Sequence, residues 1–92
     1  MRFNDLKFEL HKAGSGGVQA QGEFQNGWGY SVIMTPYSYG GDQGLYELAV
    51  TKGDALHYEN PVAQGDVRGH LSPDEVEVLL NEIENFEKGD QI

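Results

Sequence analysis

Few residues in this sequence could perform chemistry, and their spacing favours binding over catalysis. His57 and Glu59 are two positions apart in an alternating run, so they share one face of a predicted strand and could contribute to a metal or acid-base site. The alternative is a surface or packed histidine, and the other two histidines, His11 and His70, have no spacing that predictably joins them to this pair. We therefore expect no metal site and no cofactor.

Nucleophiles for covalent catalysis are absent or otherwise used. The chain contains no cysteine, and no serine lies in the G-x-S-x-G turn that activates a hydrolase nucleophile. Ser72 is predicted to cap a helix instead, because it precedes Pro73 and stands three residues before Glu75. These features predict that the protein is not an enzyme.

The segment YSYGGDQG, residues 37–44, is the first candidate binding element. A phosphate-binding loop needs glycines that lead into a helix N-terminus, whereas this segment leads into the strand-forming run LYELAVT. The phosphate interpretation therefore fails, and a long strand-to-strand loop remains. Tyr37, Tyr39 and Asp42 are the candidate contact residues in that loop, because tyrosines suit contact surfaces. The alternative is that the two tyrosines cap the end of the hydrophobic core.

The charge distribution supplies the second candidate binding element. Fifteen Asp and Glu residues stand against 6 Lys and Arg, a formal charge of -9 that repels phosphate backbones and anionic lipids and attracts basic surfaces. We expect no direct nucleic-acid binding and a basic protein as partner. Glu77 and Glu84 lie two turns apart on the side of a predicted helix that is opposite its apolar stripe, and they are the candidate contacts. The alternative is a solvated acidic face that maintains solubility.

The candidate residues of the tyrosine-rich segment lie between predicted antiparallel strands. Apolar and polar residues alternate over residues 18–24 and 28–35, and Asn26-Gly27 between them predicts a type I′ hairpin turn. Residues 45–51 and 55–60 predict a third and a fourth strand joined by a short turn. Shorter or ambiguous pairing is expected near Phe8 and Val67.

The helix signal is at the C-terminal end. The helix is predicted to start at the Ser72 cap and to stop near Gly89. Its apolar stripe consists of Val76, Leu79, Leu80, Ile83 and Phe86. The fold class is therefore α+β, an antiparallel meander sheet of about four strands with one C-terminal amphipathic helix packed on one face, all in a single domain, 1–92. The stripe is expected to pack on Trp28, Tyr30, Val32, Leu48 or Val50, and the other face of the sheet to stay wet unless a partner covers it.

The same composition indicates a compartment. The absence of cysteine is typical of a reducing cytosol, and the N-terminal run MRFNDLKFELHK is too charged for a signal peptide. No stretch approaches the ~20 apolar residues that a membrane span requires. The sequence predicts a cytoplasmic protein without a membrane association, and it leaves the oligomeric state open.

From Asn26 onward the chain resembles a family of small, acidic proteins encoded by tailed bacteriophages and prophages. The shared pattern is N-G-[aromatic]-G-x-S-V, then P-Y-[ST]-Y-G-G and G-L-Y-E-L-A-V, followed by an acidic terminal helix. The resemblance implies a phage origin and a bacterial host cytoplasm, and it implies no site residues. Small acidic phage proteins often disable host nucleic-acid enzymes, so the expected function is inhibition of basic defence machinery, in the manner of anti-restriction or anti-CRISPR proteins, with DNA mimicry as one means. The alternative is a module that holds a small, nucleotide-like ligand between tyrosine-lined loops.

Overall fold

The computed structural model describes residues 1–11 and 16–87, which form one antiparallel sheet with one helix packed against it. The strands are β1 (Glu9–Leu10), β2 (Val18–Glu23), β3 (Trp28–Met34), β4 (Tyr46–Lys52), β5 (Ala55–Leu56) and β6 (Arg68–Leu71), and the helix is α1 (Pro73–Glu84). Two 3-10 turns lie at Phe3–Asp5 and Gly41–Gln43. The predicted α+β class is confirmed.

The sheet is the expected meander with additional short strands. Strands β1 to β5 are neighbours in chain order, and β6 returns to pair with β4 on the edge that β5 also uses. The described residues therefore form six strands where about four were predicted, because β1 and β6 are too short to give a clear alternating pattern. The predicted fourth strand, 55–60, ends at Leu56, since the Asn60 side chain folds the next residues into a turn by accepting from Val62 N and Ala63 N.

The β2–β3 hairpin has the predicted position and a different turn. The type I′ prediction is wrong, because Gly27 has φ of +87° while Asn26 does not have a positive φ. Gly27 N donates to Phe24 O and Phe24 N donates to Trp28 O, so the connection is a three-residue loop with glycine in the left-handed position. The Asn26 side chain explains the difference: Oδ1 accepts from Trp28 N, and Nδ2 donates to the carbonyl of Ile83 at 3.0 Å.

The core lies between α1 and one face of the sheet. The helix contacts β3, β4, β6 and the N-terminal 3-10 turn. Four residues of the apolar stripe are buried in the core, whereas the fifth, Phe86, is half-buried and packs against its edge. The fully buried side chains include Val32, Leu48, Val50, Val76, Leu80 and Ile83. We call the other side of the sheet the open face, because its residues stay half-buried or exposed. It carries Gln19, Gln21, Glu23, Ser31, Ile33, Ala49 and Thr51.

Local sequence predicted the start of α1 correctly and its end incorrectly. At the start, Ser72 Oγ accepts from Glu75 N and Glu75 Oε1 accepts from Ser72 N, so the predicted capping box is confirmed. The helix ends at Glu84, earlier than the predicted stop at Gly89, which lies outside the described residues. Phe86 follows the helix and packs edge-on against Trp28, with ring centroids 5.0 Å apart.

Candidate functional site

The loop between β3 and β4, which we call the tyrosine loop (residues 35–45), is held by hydrogen bonds from its backbone N–H groups to the side chains of Thr35 and Ser38. Thr35 is buried, and its N–H donates to Ser38 Oγ at 2.8 Å. Thr35 Oγ1 accepts from Tyr37 N at 3.1 Å and from Ser38 N at 2.9 Å. These bonds close a tight turn that places Tyr37 at its tip.

The second half of the tyrosine loop is fixed to the sheet. Tyr39 N donates to the carboxylate of Glu47 on β4 at 2.9 Å, and Tyr39 O accepts from His70 N on β6 at 3.0 Å. His70 has φ of +56°, a left-handed conformation that is strained for a residue other than glycine. Gly40, with φ of +89°, passes so close to His70 that a side chain at this position would meet the His70 Cα. The loop is thus preorganised on two strands.

The two tyrosine rings point away from this framework. Tyr37 is 86% exposed and Tyr39 is 55% exposed, and Asp42 beside them is exposed as well. Neither ring stacks on another aromatic ring within the described part of the chain. The tyrosines therefore do not cap the core, which was the alternative interpretation of this loop. Two exposed aromatic rings and an exposed carboxylate on one hydrogen-bonded loop are the composition of a contact surface.

The two candidate glutamates of α1 lie elsewhere and already have partners. Glu77 is half-buried and its Oε1 accepts from Phe3 N at 2.7 Å. Glu84 Oε1 forms an ion pair with the Met1 ammonium at 2.8 Å, and the same ammonium donates to Asn81. This helix face was expected to point freely into solvent, and that expectation is wrong, because the N-terminal segment lies across it. No hydrogen bond or ion pair joins these glutamates to the tyrosine loop within residues 1–11 and 16–87.

The fully solvated side of α1 carries a different set of residues. Asp74, Val78 and Glu82 follow one another at i+4 spacing and are all exposed, with Val78 57% exposed. Glu75 is exposed too, and its pKa is lowered, first by the hydrogen bond from the Ser72 backbone N–H and then by the Ser72 side chain.

In the described part of the chain, the carboxylates form no direct ion pair with a Lys or Arg side chain. Of the 15 Asp and Glu residues, all but Asp90 lie in the described ranges, and within those ranges no Lys or Arg side chain comes within 4.0 Å of a carboxylate oxygen. Lys52 is placed over the Trp28 ring instead, 5.0 Å from its centroid. Arg68 donates to the carbonyl of Val62. The acidic surface therefore keeps its field directed into solvent.

His57 and Glu59, which were considered for a metal or acid-base site, do not share a strand face, because β5 ends at Leu56. The His57 ring packs edge-on against Trp28, with centroids 4.7 Å apart, and its Nδ1 lies 3.1 Å from Asn60 Nδ2. Glu59 points into solvent. No group of three or more His, Cys, Asp or Glu residues in the described part of the chain could hold a metal ion. His57 is a packing residue, which its spacing in the sequence did not indicate.

Comparison with known proteins found no relative of this chain. No protein-family model, no curated protein and no solved structure matches the chain. No helix in the portion that the structure describes is long and apolar enough to span a bilayer. The tyrosine loop and the acidic surface are the features of the structure that bear on function.

Proposed function

We propose that this protein is a small acidic interaction protein that binds a basic protein surface, and that its target is a nucleic-acid-binding defence enzyme of a bacterial host, which it inhibits. The observation that carries the proposal is the uncompensated acidic surface, in which no described carboxylate is paired with a Lys or Arg side chain. A chain selected only for folding gains by interleaving basic residues with acidic ones, since opposite charges at i+4 spacing stabilise a helix. The described helix has acids and no bases.

The charge also explains why a nucleic-acid enzyme is the expected class of target. Proteins that bind DNA present Lys and Arg side chains toward phosphates. A rigid surface with a net charge of -9 competes for the same side chains and accelerates association with them. Binding of this kind blocks the nucleic-acid channel of the target without any chemical step.

The tyrosine loop provides the short-range contacts that a charge field does not. Tyr37 and Tyr39 offer faces on which an arginine guanidinium stacks, and Asp42 offers a carboxylate for the same cation. Because the loop is fixed by its hydrogen bonds to Glu47 and His70, little conformational entropy is lost when it is bound. We expect the loop to set the dissociation rate and the acids to set the association rate.

A small-ligand module is the less favoured function. A binding pocket encloses most of its ligand, and a tyrosine that is 86% exposed, such as Tyr37, encloses nothing. No described aromatic ring faces Tyr37 or Tyr39 across a gap at stacking distance. The geometry of the loop therefore fits a protein surface better than a nucleotide.

Affinity capture tests the proposal. The tagged protein is immobilised, a bacterial lysate is applied, and bound proteins are eluted by steps of NaCl and identified by mass spectrometry. We expect basic nucleic-acid-binding proteins that elute as salt rises, with weaker retention on the Tyr37→Ser, Tyr39→Ser double variant. A captured set without basic proteins, or identical retention on both columns at every salt step, would refute the proposal.

A further inference from the structure

The outer edge of β2 is left partly unpaired. β1 covers only Val18 and Gln19, through Leu10 and Glu9. Phe24 N donates to Trp28 O, and strand residues alternate in direction, so Gln21 and Glu23 direct their N–H and C=O groups away from β3. Both residues are exposed, and no described residue bonds to these backbone groups. A short edge with four free backbone groups is a template for an added strand.

A second unpaired group lies at the middle of this edge. The Tyr30 ring crosses Gly22, and a Cβ added at Gly22 would come 2.6 Å from the Tyr30 hydroxyl. Tyr30 is only 8% exposed, yet its hydroxyl makes no hydrogen bond to any described residue, and burial raises its pKa. Buried polar groups normally have partners. The Tyr30 hydroxyl lies over Gly22, at the middle of the unpaired edge of β2. It is therefore available for a hydrogen bond to a bound protein segment.

A hollow on the open face adjoins the same edge. It has a volume of about 400 Å³ and is lined by residues that include Gln21, Glu23, Thr51 and Asp54. Its charged groups are two carboxylates, neither of which has a Lys or Arg partner among the described residues. Carboxylate and hydroxyl oxygens together accept hydrogen bonds from an ammonium or a guanidinium.

We infer that an extended segment of the basic partner adds to β2 as an antiparallel strand at Gln21–Glu23 and places a Lys or Arg side chain in the hollow beside Glu23 and Asp54. The inference rests on the proposed function and names its binding mode. A second copy of this chain is a poor occupant, because each copy carries a charge of -9 and two copies repel each other. Lys7 adjoins Gln21 beside β1, so the cation of the partner belongs at the Glu23 end.

Amide hydrogen exchange measured by NMR tests the mode directly. The probe is an eight-residue peptide of alternating lysine and threonine, titrated into the folded protein. We expect exchange at the Gln21 and Glu23 amides to slow by about tenfold or more at the highest peptide concentration, because both N–H groups become hydrogen-bonded. The Gly22 amide, which already faces β3, is the internal control and should not change. Unchanged exchange at Gln21 and Glu23, whether or not the peptide binds elsewhere, would overturn the inference.

A pair of variants separates the edge from the charge. Gln21→Pro removes an outward N–H, a position where an edge strand tolerates proline, and Gln21→Thr keeps the N–H. We expect peptide affinity to fall about tenfold for the proline variant and to stay within about twofold for the threonine variant. Equal affinities for two folded variants would contradict strand addition. If the peptide shifts only the resonances of α1 or of the tyrosine loop, the edge inference fails while the proposed function stands.

Discussion

Replacement of Leu80 by alanine tests the packing that positions the acidic helix. Leu80 is fully buried, and Val32 and Leu48 in the same core are also 0% exposed, so truncation of the Leu80 side chain removes apolar contacts and leaves a cavity in the core. Substitutions of this kind cost about 2 to 5 kcal/mol, and we take about 3 kcal/mol as the expected loss. For a domain of this size about 1 kcal/mol lowers Tm by about 4 to 8 °C, so we expect a loss of about 12 to 24 °C.

The assay is thermal unfolding followed by circular dichroism, with Val78→Ala as the matched control. Val78 lies on the same helix two residues away and is 57% exposed, so its truncation should change stability by no more than about 0.5 kcal/mol. Leu80→Ala and Val78→Ala with the same Tm would refute the packing of α1 on the sheet. The placement of Asp74 and Glu82 on the side of α1 that faces away from the sheet would then be unsupported.

Two further predictions concern the tyrosine loop and the helix cap. Gly44→Ala should cost about 1 kcal/mol because Gly44 has φ of +74°, and Gly40→Ala should cost at least about 1 kcal/mol more in the same unfolding assay, since its Cβ would also come 2.8 Å from His70 Cα. The hydrogen bond from the Ser72 backbone N–H lowers the pKa of Glu75. The ionised Glu75 carboxylate therefore stabilises the fold above the usual glutamate pKa, and this stabilisation is lost as pH falls through the lowered pKa. Wild type should therefore exceed Glu75→Gln in Tm at neutral pH, and the difference should shrink as pH falls toward 3; a difference independent of pH would contradict the cap.

Local sequence predicted the features that depend on neighbouring residues. The capping box needs only Ser72 and Glu75, and the apolar stripe needs only helical periodicity, so both follow from short segments. The exposure of Tyr37 and Tyr39 followed from loop composition. The hairpin position followed from Asn26-Gly27, because that dipeptide favours a turn whatever surrounds it.

Contacts between distant segments decided the rest. The Asn26 side chain binds carbonyls at the end of α1, and this contact changes the hairpin turn and accompanies the earlier helix end. Glu77 is occupied by Phe3, which lies 74 residues away in sequence, so helical periodicity could not show that this face is covered. The free edge of β2 was likewise not predictable, because the length of β1 is set by where the N-terminal segment leaves the sheet.

The salt dependence of association tests whether the acidic surface directs binding to a basic protein. The association rate of the protein with a captured basic partner is measured by stopped flow between about 10 mM and 1 M NaCl, over which the Debye length falls from about 30 to about 3 Å. The same series on Glu82→Lys and Glu59→Lys, exposed sites on and off the helix, gives equal changes in net charge at two places. We predict a steep fall of the rate with salt and a larger loss for Glu82→Lys than for Glu59→Lys. A rate that is independent of salt in the wild-type protein would contradict the account.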